Sequence, residues 1–309
     1  MIRRIIKSRA VQSLKIFKFV YYFKYKNLDL RKQISVLSPK VTAQMISDQQ
    51  LSLARYGDGE MRIIFEKRGI NFQKYDQNLA TELLEALETD SGYSVAIPHG
   101  FVTTNYDNFW TSIFWWKYVS QNVSNIKRLV NEYGSHQFLD ASFSRTVTEL
   151  KDPKTITDVI LAVKNIWNGK DVVMVEGAQT RFGVGNDLFE NTNSVKRIIG
   201  PAKDAYSAID EIEGAVYEAI SDLDNAIVLV ALGPTATALA HRLYKSGVQV
   251  VDIGHFDLQY EYYLRGARRR VNIPEKFDNE LGTDGSDILN SNDEWSRQIV
   301  ADYSHRKAN

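Results

Sequence analysis

Two carboxylates flanked by glycines stand in the segment LARYGDGEMRII, which spans positions 53 to 64. Asp58 and Glu60 are two residues apart, so in an extended backbone their side chains would lie on the same face. Gly57 and Gly59 permit a tight turn and the close approach of a ligand. Two convergent carboxylates suit a hard divalent cation, Mg²⁺ or Mn²⁺, which would in turn hold a diphosphate. Because Asp-Gly is also common in hairpin turns, this segment taken alone favours a turn.

Basic and polar side chains near other glycines could contact the rest of a substrate. Arg55 would lie near the two carboxylates in a regular strand and could contact a phosphate. In the segment RFGVGNDLF, which spans 181–189, Arg181 could neutralise a leaving phosphate. Asn186 and Asp187 in that segment could bond a sugar or a ribose, although capping of a helix explains the same residue types.

Two later segments join a strand pattern to a helix pattern. In GPTAT, at 233–237, the backbone N–H groups near Gly233 and Thr235 open a helix and favour a phosphate, although simple capping remains an equal explanation. In DIGHFDLQYEYYLRG, His255 and Asp257 would share a face of an extended chain. His255 is a candidate metal ligand or general base and Asp257 a candidate general base, while a lone histidine is usually structural.

Short apolar runs alternate with helical patterns along the chain, which is typical of α/β proteins. Short strands are predicted at positions 52–56 and 94–97, and apolar runs rich in Val and Ile predict four more at 171–175, 195–199, 226–232 and 248–253. Such strands predict a Rossmann-like, mostly parallel sheet with helices on both faces, where ligands bind beyond the carboxyl ends of the strands. The aromatic segment 106–119 predicts a buried helix, and the alternative is a platform of rings for an acceptor.

The charge of the chain is unevenly distributed. The 309 residues carry no net charge, yet residues 1–32 hold ten Lys or Arg and one acid, which leaves 28 bases and 37 acids in the remainder. Apolar residues recur at helical spacing in this basic arm, so residues 1–26 could lie on an anionic membrane surface. The alternative is a helix that packs on its own domain or on a second copy in a homo-oligomer. The acidic body argues against nucleic acid as a partner.

The absence of cysteine and of long apolar runs limits the class of protein. No cysteines are present, which excludes disulfides and thiolate metal sites. No run approaches the roughly 20 apolar residues that a transmembrane helix needs. A cytoplasmic enzyme is therefore expected, with the basic arm as a means of contact with the inner face of the cell membrane.

The motifs together resemble the GT-D-fold bacterial glycosyltransferases. The resemblance rests on LARYGDGEM, VEGAQTRFGVGNDLF, VKRIIGPAKDAY, VALGPTATALAHRL and DIGHFDLQYEYYLRGA, in this order, and covers roughly residues 40–280. Members of that family are metal-dependent transferases that use nucleotide sugars, with UDP-glucose as a donor for glycosylating a bacterial surface glycoprotein. The resemblance implies that Asp58 and Glu60 match the family's Asp-x-Glu motif and act at the metal and the diphosphate.

The resemblance predicts a glycosyltransferase domain at 39–280, preceded by the basic arm at 1–38 and followed by a polar tail at 281–309. The expected reaction moves glucose or another hexose from a UDP-sugar to a glycan, glycolipid or glycoprotein acceptor, with Mn²⁺ or Mg²⁺ as cofactor. Two alternatives stay open at this point. The same carboxylates could serve a metal-dependent phosphohydrolase, or the domain could bind nucleotide sugars without catalysis.

Overall fold

Nine strands form one parallel sheet in the computed structural model, which describes residues 20–28, 30–133, 137–274, 276–278, 283–284 and 293–306. The strands of the chain are β1 (Ser35–Val36), β2 (Ser52–Arg55), β3 (Tyr93–Ile97), β4 (Gln137–Asp140), β5 (Asp171–Gly177), β6 (Ser194–Gly200), β7 (Ala226–Ala231), β8 (Val250–Asp252), β9 (Phe277–Asp278), β10 (Thr283–Asp284) and β11 (Ile299–Asp302). The sheet has the order β1-β4-β3-β2-β8-β7-β5-β6-β11, while β9 and β10 pair separately. Every neighbouring pair in the large sheet is parallel.

Helices cover both faces of the sheet, as the alternating pattern predicted. They are α1 (Val20–Leu28), α2 (Pro39–Gln49), α3 (Asp58–Glu66), α4 (Gln77–Glu85), α5 (Phe109–Arg128), α6 (Thr146–Glu149), α7 (Pro153–Lys164), α8 (Ile209–Ile220), α9 (Pro234–Lys245), α10 (Phe256–Leu264) and α11 (Asp293–Gln298). Successive residues of a strand point to opposite faces, so β5 sends Val173 into one core and Met174 into the other. The first core contains residues of α1, α3, α4, α5, α8 and α9, and the second contains residues of α2, α6, α7 and α10.

The strand order reverses at β2, and this reversal determines where a ligand can bind. From β2 the chain continues to β3 and β4 on one side, while β8 lies against the other side of β2. The loops that follow β2 and β8 therefore leave the sheet side by side. A crevice at the carboxyl ends of such strands is the usual ligand site of open α/β sheets.

The six predicted strands are confirmed with boundaries within two residues, but three strands of the sheet were missed. β1 and β11 are edge strands, and β4 is a four-residue strand, so none has the long apolar run of a central strand. β11 pairs with β6 and lies beyond residue 280. The sheet therefore extends past the predicted end of the glycosyltransferase domain, because the edge of β6 provides pairing that the polar tail sequence does not reveal.

Within the predicted basic arm, helix α1 packs against α5, and β1 already belongs to the large sheet through its pairing with β4. The Tyr25 hydroxyl donates to the Gly100 carbonyl at 3.0 Å, and Tyr22 contacts Trp116 edge to face. Residues 1–19 of the arm lie outside the described residues. Within the described ranges, no helix combines the length and the apolarity that crossing a bilayer requires.

Candidate active site

A cavity of about 1230 Å³ lies at the carboxyl edge of the sheet. Its lining includes residues that directly follow five strands: 56–60 after β2, Pro98 after β3, 141–142 after β4, 233–234 after β7 and 254–255 after β8. The cavity therefore lies over the point where the strand order reverses. Loops distant in sequence meet there because the carboxyl ends of parallel strands share one edge.

The Asp-Gly-Glu segment forms the first turn of helix α3. Gly57 is the N-cap, Asp58 is the first helical residue, and Glu60 is the third. The expectation of an extended backbone is therefore wrong, because in a helix side chains two residues apart do not share a face. Both carboxylates nevertheless line the cavity, with Asp58 exposed and Glu60 partly buried. Both carboxylates line the cavity because they lie at the N-terminus of α3, and not because a strand places them on the same face.

Glu60 also stabilises the start of its own helix. Its Oε2 accepts a hydrogen bond from the Gly57 N–H at 2.7 Å, which satisfies one of the backbone donors left free at a helix N-terminus. Burial raises the pKa of Glu60 to about 7, although backbone N–H groups and the Arg55 guanidinium oppose this shift. A cation in the cavity would therefore relieve an unfavourable burial of the ionised carboxylate.

Arg55 is held by partners beneath the cavity. Its Nε donates to Asp252 Oδ1 at 3.1 Å, and its Nη1 donates to Ser144 Oγ at 3.0 Å. Gly254 is needed here, because at its φ of +52° a Cβ atom would lie 2.0 Å from Arg55 Nη2. Arg55 therefore ties together the ends of β2 and β8 and the loop after β4, and contact with a phosphate would compete with these bonds.

Four helix N-termini point towards the cavity. Gly57, Asn108, Gly233 and His255 are the N-caps of α3, α5, α9 and α10, and all four line the cavity. Free backbone N–H groups and the helix dipole make each N-terminus favourable for an anion. Convergence of these ends indicates a site for an anionic substrate.

The chemistry of Asp58 and Glu60 fits a hard divalent cation bound together with a diphosphate. Among the described residues, no cluster of three or more His, Asp or Glu side chains could hold a metal alone. Mg²⁺ and similar ions are, however, often bound by one or two carboxylates, water and substrate phosphates. Glu60 keeps one oxygen outside its helix-capping bond. The donor set therefore suits a cation that arrives with its phosphate ligand.

Only part of the predicted site lies around the cavity. Asp58, Glu60, Arg55, Gly57, Gly59, Gly233 and His255 line it. Arg181, Asn186, Asp187, Thr235 and Asp257 are not among its lining residues. The loop after β5 carries three of these five residues, and two strands, β7 and β8, separate β5 from β2 in the sheet. The substrate contacts predicted for the loop after β5 therefore lie outside this cavity lining.

Asp257 belongs to a buried network instead of the cavity wall. It is 2% exposed, its Oδ2 pairs with Lys276 Nζ at 2.8 Å, and its Oδ1 accepts from the Gly183 N–H at 2.8 Å. Asn186 donates to both Asp257 and Glu261. The expected shared face of His255 and Asp257 is wrong, because Asp257 lies in the first turn of α10 rather than in an extended loop.

The other three residues outside the cavity also have internal contacts. Arg181 lies over the Trp295 ring at 4.6 Å from its centroid, with φ of 46°. Asp187 pairs with Lys164 at 2.9 Å. The buried Thr235 hydroxyl donates to Gln73 Oε1 at 3.2 Å. These contacts account for the residue types without a bound substrate.

His99, which follows Pro98 in the chain, is buried between two carboxylates. The predicted site did not include this histidine. His99 Nδ1 lies 2.7 Å from Asp140 Oδ2, and its Nε2 lies 2.6 Å from Asp107 Oδ1. Burial opposes the charge of His99, but the two carboxylates outweigh burial and raise its pKa well above the ordinary value. Burial raises the pKa of Asp107 to about 6. These three residues, the His99 triad, join the loop before α5 to the ends of β3 and β4.

Two other groups of cavity residues were absent from the predicted site. One is the aromatic start of α5, where Phe109, Trp110 and Phe114 are exposed although the helix was expected to be buried. The other is the run of arginines at 268–270. Three consecutive arginines after a helical pattern can be seen in the sequence, but no local sequence pattern indicates that they lie in the same cavity as Asp58.

Comparison with known families identifies the class of protein to which this fold belongs. Residues 53–281 match the family model described as the glycosyltransferase GT-D fold. The chain therefore belongs to the GT-D-fold glycosyltransferase family, and the resemblance found in the motifs is confirmed.

Two curated relatives and two solved structures place the chain more closely. It is 33% identical over 277 residues to the "Probable glycosyl transferase Gly" of Streptococcus gordonii, which covers 88% of this chain and 39% of that protein. It is 30% identical over 279 residues to "Glycosyltransferase GlyD" of Streptococcus pneumoniae serotype 4, covering 88% of this chain and 33% of that protein. The chain thus spans little more than a third of the length of these curated relatives.

The solved structures match over their whole length. One, described as the domain of unknown function 1792 with a distinct glycosyltransferase fold, is 31% identical, with a TM-score of 0.82, 92% of this chain covered and 100% of that chain covered. Another, described as a new glycosyltransferase (DUF1792) from Streptococcus sanguinis, is 31% identical, with a TM-score of 0.81 and coverages of 88% and 100%. These matches confirm the predicted α/β fold.

Proposed function

We propose that the protein is a metal-dependent glycosyltransferase that moves glucose or another hexose from a UDP-sugar to a glycan, glycolipid or glycoprotein acceptor in cell-surface glycan synthesis. The observation that carries this proposal is the placement of Asp58 and Glu60 at the N-terminus of α3, in a cavity where other helix N-termini converge. Membership of the GT-D-fold family and the names of the relatives support the reaction class.

In this proposal the diphosphate of the donor lies near the N-termini of α3 and α9, where backbone N–H groups of the chain can hold it. Asp58 and Glu60 would hold Mn²⁺ or Mg²⁺, which when bound neutralises charge that develops on the leaving nucleoside diphosphate. The positive φ of Gly233, +57°, lets the chain turn into α9 where a Cβ atom would lie 2.4 Å from the Phe72 ring.

His255 is the better placed of the two proposed bases. It is the N-cap of α10 and lines the cavity, whereas Asp257 does not. We propose that His255 accepts the proton of the acceptor hydroxyl if the reaction inverts the anomeric configuration. Asp257 would then act indirectly, because its bonds to Lys276 and to the Gly183 N–H hold the first turn of α10 in place.

Addition of UDP with Mn²⁺ is expected to raise the Tm of the protein by roughly 5 °C when UDP is present at about 100 times its Kd. The measurement is a thermal shift with UDP and Mn²⁺, with UDP and EDTA, and with ADP and Mn²⁺ as the matched nucleotide control. The carboxylate pair predicts that EDTA abolishes the shift. A panel of UDP-sugars then tests for release of UDP.

Three outcomes would contradict the proposal. Equal stabilisation with UDP in Mn²⁺ and in EDTA would exclude a metal-held diphosphate. Turnover of p-nitrophenyl phosphate without any sugar acceptor would assign the site to a phosphohydrolase. Metal-dependent UDP binding without transfer to any glycan in an acceptor screen would indicate that the domain binds nucleotide sugars without catalysis.

We further propose that the basic arm contacts the anionic inner face of the membrane. Val20 and Phe23 of α1 are 68% and 64% exposed, and Lys24 and Lys26 beside them are exposed. Exposed apolar side chains next to cations are what an anionic bilayer surface attracts. The ten bases in residues 1–32 add to this attraction.

Charge reversal of α1 is expected to weaken binding to anionic vesicles. Each cation near such a surface contributes about 1 kcal/mol, so Lys24→Glu with Lys26→Glu should lower the membrane partition coefficient at least tenfold. Co-sedimentation with phosphatidylserine vesicles measures this, and Lys67→Glu with Lys203→Glu is a control of equal charge on exposed positions elsewhere. Loss of binding in the control as well would indicate a nonspecific charge effect. No binding by the unaltered protein, with a dimer in ultracentrifugation, would assign the arm to a second copy.

A further inference from the structure

The lining of the cavity includes both exposed aromatic rings and a run of arginines. This surface, the distal wall, consists of Phe109, Trp110, Phe114, Arg268, Arg269 and Arg270. The three aromatic side chains are 44–51% exposed, which is unusual for rings at the start of a long helix. Contiguous exposed apolar side chains of this kind mark interaction sites or ligand-binding grooves.

The distal wall is held in place by hydrogen bonds. Asn108 caps α5 by accepting from the N–H groups of Trp110 and Thr111, and its side chain donates to the Thr148 carbonyl at 2.8 Å. Thr148 in turn donates from its backbone N–H to Gln259 Oε1 at 3.0 Å. The backbone at the aromatic start of α5 is thereby tied through α6 to α10.

Positive charge along the cavity exceeds what its own carboxylates neutralise. Among the described residues, arginines outnumber carboxylates in the lining by six to three. Arg55 pairs with Asp252, and Arg145 pairs with Glu149. Within the same described ranges, Arg268 and Arg269 have no ion pair or hydrogen bond with another side chain. Two guanidinium groups are therefore available for an anion, and their planar forks suit the oxygens of a phosphate.

The helix N-termini can hold the donor without these arginines. A divalent cation on Asp58 and Glu60 would balance the two carboxylates, and the N-termini of α3 and α9 would face the roughly two negative charges of the diphosphate. The arginine run also lies beyond Leu264, at the end of α10 opposite to His255. A helix of nine residues spans about 13 Å, so the run begins far from the end of α10 that faces the donor.

We propose that the distal wall is the acceptor subsite and that the acceptor is a glycan bearing a phosphate group close to the sugar that is glycosylated. The apolar C–H face of a pyranose ring would pack on Trp110 and its neighbouring rings, and Arg268 and Arg269 would bind the phosphate. This inference rests on the proposed glycosyltransferase function. The phosphate could belong to a lipid-linked sugar or to a phosphodiester polymer.

Calorimetric titration with sugar phosphates tests the subsite while UDP and Mn²⁺ saturate the donor side. Glucose 1-phosphate carries its phosphate on the anomeric carbon, as a lipid-linked sugar does, and glucose 6-phosphate carries it on a primary carbon, as a phosphodiester polymer does. The variants are Arg268→Gln with Arg269→Gln, and Arg68→Gln as a control, because Arg68 is exposed and outside the cavity lining. Methyl glucoside serves as the neutral ligand.

We expect at least one sugar phosphate to bind, with a Kd at least tenfold higher in the double variant and unchanged in the control, and with methyl glucoside binding more weakly. The sugar phosphate that binds more tightly then indicates whether the acceptor phosphate belongs to a lipid-linked sugar or to a phosphodiester polymer. Equal affinity of the double variant, or no binding by the unaltered protein, would overturn the proposal. Loss of UDP and Mn²⁺ affinity in the double variant would also overturn it, by assigning the arginines to the donor.

Failure of the proposed function gives a different result. If UDP and Mn²⁺ do not bind the unaltered protein, the donor proposal fails, and titration of the sugar phosphates without nucleotide still reports on the arginines. If UDP and Mn²⁺ bind normally but arginine replacement leaves the sugar phosphate Kd unchanged, only the acceptor proposal fails.

Discussion

Asp58→Asn is expected to lower the rate of sugar transfer by at least about 100-fold, and Glu60→Gln by a similar factor. Each change removes one of two carboxylates that would hold the cation beside the diphosphate, and loss of one electrostatic group at a leaving oxygen typically costs 10²–10³ in kcat. Both variants should also lose the Mn²⁺-dependent stabilisation by UDP. Release of UDP from the donor, followed with and without acceptor, measures the rates.

The two variants separate the roles of the carboxylates. Glu60 accepts the Gly57 N–H, so Glu60→Gln can retain that bond and keep the start of α3, while Asp58 is exposed and its replacement should leave folding unchanged. Asp48→Asn is a matched control on an exposed position of α2. Full activity of both cavity variants, with circular dichroism showing an intact fold, would remove the metal site from the mechanism.

His99→Gln is expected to lower the free energy of unfolding by about 3–5 kcal/mol at pH 7. The change leaves Asp107 and Asp140 buried without the cation between them, and breaking a buried ion pair by removing one partner has a cost of this size. Urea unfolding measures the difference. His305→Gln is the control, since His305 is exposed. A loss below 1 kcal/mol would show that the His99 triad contributes little to stability.

The His99 triad should also make stability depend on pH. The raised pKa of His99 means that its stabilisation is complete below the unfolded value of about 6.5 and is lost as the pH rises through the folded value. Asp107, with its pKa raised to about 6, acts in the same direction at lower pH. A triple variant with His99→Gln, Asp107→Asn and Asp140→Asn removes these titrations.

The stability of the natural protein relative to this triple variant is therefore expected to fall between pH 6.5 and pH 9, by at most about 1.4 kcal/mol per pH unit. Urea unfolding at four pH values across this range is the measurement. A difference that stays constant with pH would mean that the folded and unfolded states bind the same number of protons at this triad.

The segment predicted to hold the site lines the cavity, but its backbone starts a helix and is not an extended strand. Glycines on either side of Asp58 indicate a close approach of the chain to a ligand, whether the chain turns or starts a helix. The parity of a strand was the wrong reason, because the helix begins at Asp58 and Glu60 caps it. Local residue types identified the segment, whereas the helix start depends on how β2 leads into α3.

The buried aspartate shows what local patterns miss. His255 and Asp257 are close in sequence, yet one lines the cavity and the other pairs with Lys276 in the interior. Lys276 lies nineteen residues further along the chain, so no local pattern relates the two residues. The same applies to Arg268, whose place in the cavity depends on the packing of α10 against α6.

The sequence by itself determined the α/β class, because apolar runs and helical periods follow from the 2.0 and 3.6 residue repeats of a strand and a helix. It also indicated the carboxylate pair as a candidate metal site, because Asp58 and Glu60 are residue types that bind hard divalent cations. Only the tertiary structure decided which loops meet. The order of strands across the sheet brings the ends of β2 and β8 together and leaves Arg181, Asn186 and Asp187 outside the cavity lining, and this order depends on long-range pairing that local residue patterns do not specify.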